Sequence, residues 1–209
     1  EGAAIPAGQF LPEGSFGWVP DLPAPRAEAE AAKRLLAEAG FPQGFRITLH
    51  GPNDRYPNDA RIIQAIGQMW TRAGIRTTVE ASPWTTFVAR AGRQDLSAFL
   101  IGWGSSSGEA SNPLRNLVAG FDRDKGYGAS NRGRYANPEL DRVVETAMRT
   151  LDDARREALL QQATRIAFED VAIIPLHIQK NAWAMRRGLA IDARADELTR
   201  AQDIRPSAQ

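Results

Sequence analysis

Three short segments of the chain carry residue types that suit the recognition of a small polar solute. Each segment follows a stretch whose pattern predicts a β-strand, and the segments span residues 51–56, 82–84 and 102–109. The side chains expected to contact a ligand are Trp103, Arg55, Ser105, Ser106, Glu109, Tyr56 and Trp84. A guanidinium suits a carboxylate, aromatic rings suit an apolar group, and hydroxyls suit polar atoms. The segments therefore predict a site for a polar ligand with a carboxylate and an apolar side chain.

These candidate residues differ in how strongly their surroundings indicate binding. Trp103 stands between Gly102 and Gly104, which allow close approach to a bulky ring, and it is the strongest single candidate. The two glycines also fit a tight turn without a ligand. Arg55 also fits a solvated loop charge, which is the usual place of an arginine. Trp84 also fits a ring packed in the core or on a lid, because tryptophan gains most from burial.

One motif indicates a different function, that of a serine hydrolase. Gly104-Ser105-Ser106-Ser107-Gly108 fits the G-x-S-x-G turn, and the acid Asp141 or Asp170 and then His177 follow in the order of a hydrolase triad. A turn rich in serine and glycine produces the same pattern without catalysis. No HGGG-type oxyanion segment lies upstream, and His177 falls inside a predicted strand instead of a loop. The hydrolase remains the alternative to a binding protein that is not an enzyme.

Several other classes of function find no support in the sequence. No glycine pattern for a dinucleotide or a nucleotide phosphate is present, and the chain has no cysteine. Its two histidines, His50 and His177, lack metal-ligand spacing, so neither a metal nor a cofactor is expected. Lys and Arg total 26 against 25 Asp and Glu, which gives no field that would gather nucleic acid. No apolar run is long enough for direct membrane insertion.

The segments that must position these residues alternate between strand and helix patterns. Helices are predicted at 26–39, 62–73 and 83–93, and strands at 45–49, 75–81 and 98–101, the last as a strand covered on both faces. Such alternation implies right-handed crossovers and a largely parallel sheet flanked by helices. Ligands of open α/β sheets lie at the carboxyl ends of the strands, where the three segments begin.

The remainder of the chain is predicted to be a long loop, two helices, a strand and irregular ends. Residues 122–134 form the loop, Asn137 and Asp152 cap the helices, and Leu151 is counted with their buried face. A last strand is expected at 171–178 in spite of Pro175, at an edge or a bend. The predicted organisation is an extended, proline-rich connecting arm at 1–25, an α/β ligand-binding lobe at 26–187, and a C-terminal tail at 188–209.

The same segments carry a resemblance to a known protein family. The motifs are AKRLLAEAGFP at 32–42 with Gly44-Phe45, MWTRAGI at 69–75, LIGW at 100–103, Asn131 through Tyr135, NPELD at 137–141 and IPL at 174–176. In this order they resemble the C-terminal lobe of bacterial extracellular solute-binding proteins of family 5, which bind oligopeptides, dipeptides or nickel. The resemblance extends over about residues 20 to 190.

The resemblance implies a periplasmic-binding-protein-like lobe of a two-lobed clamshell located outside the cytoplasmic membrane. Such a protein closes on a small-molecule or peptide ligand and delivers it to an ABC permease. An N-terminal lobe with the export signal would precede this chain, and the tail would return to that lobe. Peptide-binding members usually have an aspartate, which holds the amino group of the ligand, where this chain has Ser106. Two alternatives follow: Glu109 substitutes for that aspartate, or the ligand is not a peptide with a free N-terminus. Arg55 lies where dipeptide-binding relatives bind a carboxylate. A role of the parent protein as a signalling adaptor is a third alternative.

Overall fold

The structure is a computed structural model that describes residues 2–105, 107–194 and 196–207. The chain divides into two compact units. Unit 1 contains residues 1–25, 104–129 and 136–209, and unit 2 contains residues 26–103 and 130–135. The boundaries predicted for the arm, lobe and tail differ from those of these two units. The return of the tail to another lobe stays a prediction.

Unit 2 is built on three parallel strands that alternate with helices, as the sequence predicts. Its helices are α1 (Ala29–Glu38), α2 (Asp59–Arg72) and α3 (Trp84–Gly92), and its strands are β2 (Arg46–Pro52), β3 (Arg76–Ser82) and β4 (Ala98–Phe99). The strand order is β3-β2-β4, with Leu49 opposite both Val79 and Ala98. The buried side chains that hold this sheet to its helices include Leu49, Ile63, Phe87, Ala91 and Leu96. The loops after β2, β3 and β4 therefore leave the sheet at its carboxyl edge.

Two predictions about unit 2 are wrong in detail. Helix α1 begins at Ala29 instead of Arg26, and its N-cap residue Glu28 makes no side-chain capping bond. The run 98–101 forms a strand only at Ala98–Phe99, and its residues are half-buried instead of covered on both faces. Strand β4 pairs only with β2 among the described strands, so its other edge has no neighbouring strand there.

The described residues of unit 1 combine two antiparallel strand pairs with a helical core. Strand β1 (Ala4–Pro6) pairs with β5 (His177–Gln179), and β6 (Leu189–Ile191) pairs with β7 (Ile204–Pro206). The helices are α4 (Ser111–Pro113), which continues as a π-helix at Leu114–Val118, then α5 (Pro138–Arg149) and α6 (Asp153–Glu169). Their buried faces contain Leu114, Leu140, Val144 and Leu160. Among the described residues, no helix is both long and apolar enough to cross a membrane.

The predicted helix caps of unit 1 are confirmed. The Asn137 side chain accepts hydrogen bonds from the backbone N–H groups of Glu139 and Leu140, and Pro138 opens the helix. The Asp152 carboxylate accepts one from Arg155 N–H. Leu151, in contrast, is 97% exposed, because α5 ends at Arg149 and the extended backbone at Thr150 turns the next side chain outward.

The predicted arm is packed by specific contacts instead of being merely extended. The Gln9 side chain is buried, and its amide donates to Val19 C=O while its oxygen accepts from Val19 N–H, both at 2.8 Å. This pair of bonds imitates a strand ladder and satisfies the buried polar groups at Val19.

The strand predicted at 171–178 is found only at its end, as His177–Gln179. Val171 and Ala172 instead complete the end of α6.

The ends of α1 and α6 share one motif but differ in the residue that it places in the left-handed conformation. At α1, Gly40 N–H donates to Ala37 C=O and Phe41 N–H to Leu36 C=O, with Gly40 at φ +87°. At α6, the same two bonds run from Val171 and Ala172 to Phe168 and Ala167, with Val171 at φ +53°. A β-branched residue is strained at this angle, whereas glycine is not.

Substitution of the strained valine is expected to stabilise unit 1. Val171→Gly should raise the free energy of unfolding by about 1 kcal/mol, because the left-handed angle is relieved and the side chain is largely exposed. Gly40→Ala is the opposite control and should lower it by a similar amount. Urea unfolding of the three proteins measures both effects, and an unchanged or lower stability of Val171→Gly would contradict the strain.

A buried histidine in β2 should make unit 2 sensitive to acid. His50 is 8% exposed, with Nδ1 3.3 Å from the Glu80 carboxylate, which also binds Arg90. Burial is the largest influence and lowers the pKa of His50; Glu80 opposes it and Arg90 adds to it. The unfolded chain therefore binds a proton at a higher pH than the folded chain does.

The free energy of unfolding should consequently fall as the pH drops below about 6.5, the unfolded histidine value, and level off below the folded pKa. Urea midpoints measured at intervals from pH 7.5 to pH 5 test this in the wild type and in His50→Gln. The variant should lose part of the pH dependence, and identical slopes for the two proteins would contradict the role of His50.

Candidate ligand-binding site

The loop between β2 and α2 is shaped by one buried carboxylate. Asp59, the first residue of α2, is 3% exposed and accepts hydrogen bonds from the N–H groups of Arg55 and Tyr56 at 3.0 Å and of Ala60 at 2.7 Å. Burial alone would raise the pKa of Asp59, but these bonds outweigh it and hold the pKa below its ordinary value. The charged carboxylate thus fixes the backbone that presents Arg55 and Tyr56.

A second carboxylate links this loop to the start of α3. Asp54 Oδ1 accepts a hydrogen bond of 2.7 Å from the N–H of Trp84, the first residue of α3. Asn53 N–H donates to Ser82 C=O at 3.1 Å. A negative charge at the N-terminus of a helix is stabilised by the helix dipole and by the free N–H groups there. The first two predicted segments are therefore joined side by side at the carboxyl edge of the sheet.

The guanidinium of Arg55 stacks on two aromatic rings. Its Cζ lies 5.5 Å from the centre of the Tyr56 ring and 5.3 Å from that of Trp84. The two rings meet edge to face at 6.0 Å and 76°. Cation–π contact orients the guanidinium without using its N–H groups. Within the described chain Arg55 makes no ion pair, and its side chain is exposed, so its donors face solvent.

The third segment reaches this cluster through Tyr56. The Tyr56 hydroxyl donates to Gly102 C=O at 3.3 Å, and a Cβ at Gly102 would lie 2.8 Å from Tyr56 Cε1. Glycine is thus required here for close packing of the ring against the backbone. Trp103 follows directly and is 41% exposed. The structure therefore brings Arg55, Tyr56 and Trp84 together. It also places Gly102, in the loop that follows the third strand, beside Tyr56.

The other candidates belong to unit 1. Ser105 Oγ lies 3.2 Å from Ser107 Oγ, and the carboxylate of Glu109 forms an ion pair with Arg156 of α6. Ser106 lies outside the described residues. Contact of these side chains with a ligand stays a prediction.

The acids of the hydrolase alternative have other partners, and its histidine lies in a strand. Asp141 accepts a hydrogen bond from Gly120 N–H at 2.8 Å, and Asp170 accepts one from the Asn137 side chain at 2.6 Å. His177 lies in β5 opposite Pro6. The described residues also contain no group of three or more His, Asp or Glu side chains that could hold a metal ion.

Asp54 and Asp59 shape the candidate site but were not singled out from the sequence. Only Asp59 carried a local signal, since an acid at the start of a helix commonly accepts backbone N–H bonds. Asp59 directly follows Pro57-Asn58 and opens α2, and Asp54 lies five residues earlier. Asp59 accepts hydrogen bonds from its own loop and helix, whereas Asp54 accepts one from the start of the next helix. The packing between segments decides this difference.

Comparison with solved structures shows the same fold in binding proteins. HbpA2 from Haemophilus parasuis is 26% identical with a TM-score of 0.77, and it matches 85% of this chain and 35% of its own. The periplasmic binding protein DppA from Helicobacter pylori, solved with the peptide STSA, is 24% identical with a TM-score of 0.75, over 84% of this chain and 34% of its own.

Comparison with curated proteins gives relatives that are also named as binding proteins. Heme-binding protein A of Haemophilus influenzae is 28% identical over 84% of this chain and 32% of its own length. Di/tripeptide-binding protein 1 of Pseudomonas aeruginosa is 32% identical over 69% of this chain and 27% of its own length. The chain thus spans about a third of the length of the curated relatives that it matches.

The sequence profile described as "Bacterial extracellular solute-binding proteins, family 5 Middle" matches residues 1–125, which is more than half of the chain. This match agrees with the resemblance carried by the sequence motifs and with the parallel β/α unit described above. Membership of an extracellular family places the protein outside the bacterial cytoplasm. The chain belongs to family 5 of the bacterial extracellular solute-binding proteins.

Proposed function

We propose that this chain is one lobe of the substrate-binding component of an ABC import system. In this role it binds a peptide-like or other small polar solute together with a second lobe, and the full-length protein delivers the solute to a permease. The relatives named above include binding proteins for dipeptides and tripeptides, and the Helicobacter protein is described as ABC transporter-associated. Because the chain spans about a third of such relatives, a second lobe has ample room in the full-length protein.

The observation that carries this proposal is the stack of Arg55 on Tyr56 and Trp84. A guanidinium that is oriented by two rings, and whose N–H groups have no partner among the described residues, can bind a carboxylate through two parallel hydrogen bonds. The neighbouring rings offer apolar surface to the remainder of the ligand. The cluster lies at the carboxyl edge of a parallel sheet, where ligands of open α/β folds commonly bind.

Binding without catalysis is the activity that this geometry supports. The cluster provides a cation and apolar surface but no nucleophile paired with a base. The acids of the alternative hydrolase triad instead accept hydrogen bonds from a backbone N–H and an asparagine. Closure of two lobes over the solute would remove it from water and strengthen its charged contacts.

Removal of the Arg55 guanidinium should weaken binding of a ligand carboxylate. In the full-length protein, Arg55→Gln should raise the dissociation constant by about 10- to 100-fold, the loss expected for a charge-assisted hydrogen bond. Calorimetry with a panel of dipeptides and tripeptides selects the ligand and measures the effect. Arg46→Gln is the matched control, since this exposed arginine begins β2 at the opposite edge of the sheet, and its affinity should equal that of the wild type.

The C-terminal amide of the selected peptide provides an independent check. It should bind more weakly than the acid to the wild type, whereas Arg55→Gln should bind acid and amide alike, because the partner of the carboxylate is gone. Equal affinity of the wild type and Arg55→Gln for the acid would contradict the proposed role of Arg55. Failure of every peptide to bind the wild type would contradict a peptide-like ligand.

A further inference from the structure

Residues 108–110 are held to the N-terminal arm by backbone hydrogen bonds. Phe16 N–H donates to Gly108 C=O at 3.1 Å, and Ala110 N–H donates to Phe16 C=O at 3.0 Å. These bonds form a short parallel bridge between Phe16 and Glu109. Backbone pairing therefore sets the position of the residues that flank Glu109.

An ion pair between Glu109 and Arg156 also holds this segment to helix α6. Glu109 is paired with Arg156 of α6, and the two side chains are only 20% and 21% exposed. Arg156 Cζ also lies 5.4 Å from the centre of the Phe16 ring. A pair that is largely shielded from water resists separation more than an exposed one does, since removal of one partner leaves the other charge unsatisfied. The arm, the loop and α6 thus meet at one charged contact.

We infer that Glu109 and Arg156 are positioning residues for the described residues of the loop 104–108, and that Glu109 is not the group that receives a ligand's ammonium. Its negative charge is already matched by Arg156, so the described part of this loop presents hydroxyls instead of a free carboxylate. Ser105 and Ser107, whose Oγ atoms lie 3.2 Å apart, are such hydroxyls. This inference rests on the proposed function only in naming the loop as one that contacts the solute.

The two roles of Glu109 predict different selectivity. If Glu109 bound the ammonium directly, Glu109→Gln would weaken peptides with a free amino group and spare their N-acetyl forms. If it positions the loop, the loss is the same for both forms, and Arg156→Gln produces the same loss. The double variant should then be no weaker than either single variant, because both changes break one contact.

The experiment compares these variants in the full-length protein by calorimetry, with the best-binding peptide of the panel and its N-acetyl form. Arg156→Gln and Glu109→Gln should each weaken both ligands by about tenfold, the effect of a loosened supporting contact. Arg165→Gln is the matched control on the same helix, since Arg165 pairs with Asp21 of the arm at a more exposed position, and it should bind as the wild type does. Arg156→Lys keeps the charge and should recover part of the affinity.

Hydrogen exchange of residues 104–110 gives a readout that needs no ligand. Exchange should be faster in Arg156→Gln and unchanged in Arg165→Gln, because only the first substitution frees the loop. Unchanged exchange in Arg156→Gln, or a loss in Glu109→Gln confined to free amino peptides, would overturn the inference. Absence of any peptide binding by the wild type, with faster exchange in Arg156→Gln, would overturn the peptide-like ligand and leave the positioning role supported.

Discussion

The carboxylate of Asp59 is the constraint on which the candidate site depends. It is almost fully removed from water, and a buried charge is stable only when hydrogen bonds replace the lost solvation. Three backbone N–H groups do so, two of them from Arg55 and Tyr56. The loop must therefore adopt the one backbone path that points these N–H groups inward, and that path turns the two side chains outward. Asp54 acts in a similar way, since its carboxylate accepts one hydrogen bond from the N–H of Trp84 at the start of α3.

This use of the acids leaves the edge of unit 2 with an uneven distribution of charge. Asp59 is bound to backbone groups and Asp54 to a helix end, whereas the Arg55 guanidinium stacks on two rings and forms no ion pair within the described residues. In unit 1, Glu109 is likewise committed to Arg156. In these three cases a carboxylate supports the architecture. Under the proposed function, the Arg55 guanidinium is then the charge that would bind an anionic group of the solute.

Much of the fold could be predicted from local patterns, because the local signals agree with the final packing. Alternation of strand and helix in 45–101 and the caps Asn137 and Asp152 are encoded within a few residues. The pairing of β1 with β5 was not predictable in this way, since three-residue strands some 170 positions apart carry no period of their own. Leu151 fits a helical stripe by sequence, but α5 ends two residues before it.

The candidate site was predictable to the extent that parallel strands impose it. Loops at the carboxyl edge must converge, so Arg55, Tyr56 and Trp84 could be grouped without coordinates. The partners of the acids could not, because Asp54 bonds to a residue 30 positions away and Glu109 to one 47 positions away. Such distant contacts decide whether an acid is available to a ligand or is bound within the protein. No local sequence motif encodes them.

A crystal structure of the full-length protein with its solute bound would locate the solute relative to Arg55. An anionic group of the solute should lie within hydrogen-bond distance of the Arg55 guanidinium, with the guanidinium still stacked on Tyr56 and Trp84 and the Asp59 carboxylate still bound to the loop. A solute that lies away from these three side chains, or one that meets Arg55 only after the stack has come apart, would contradict this expectation.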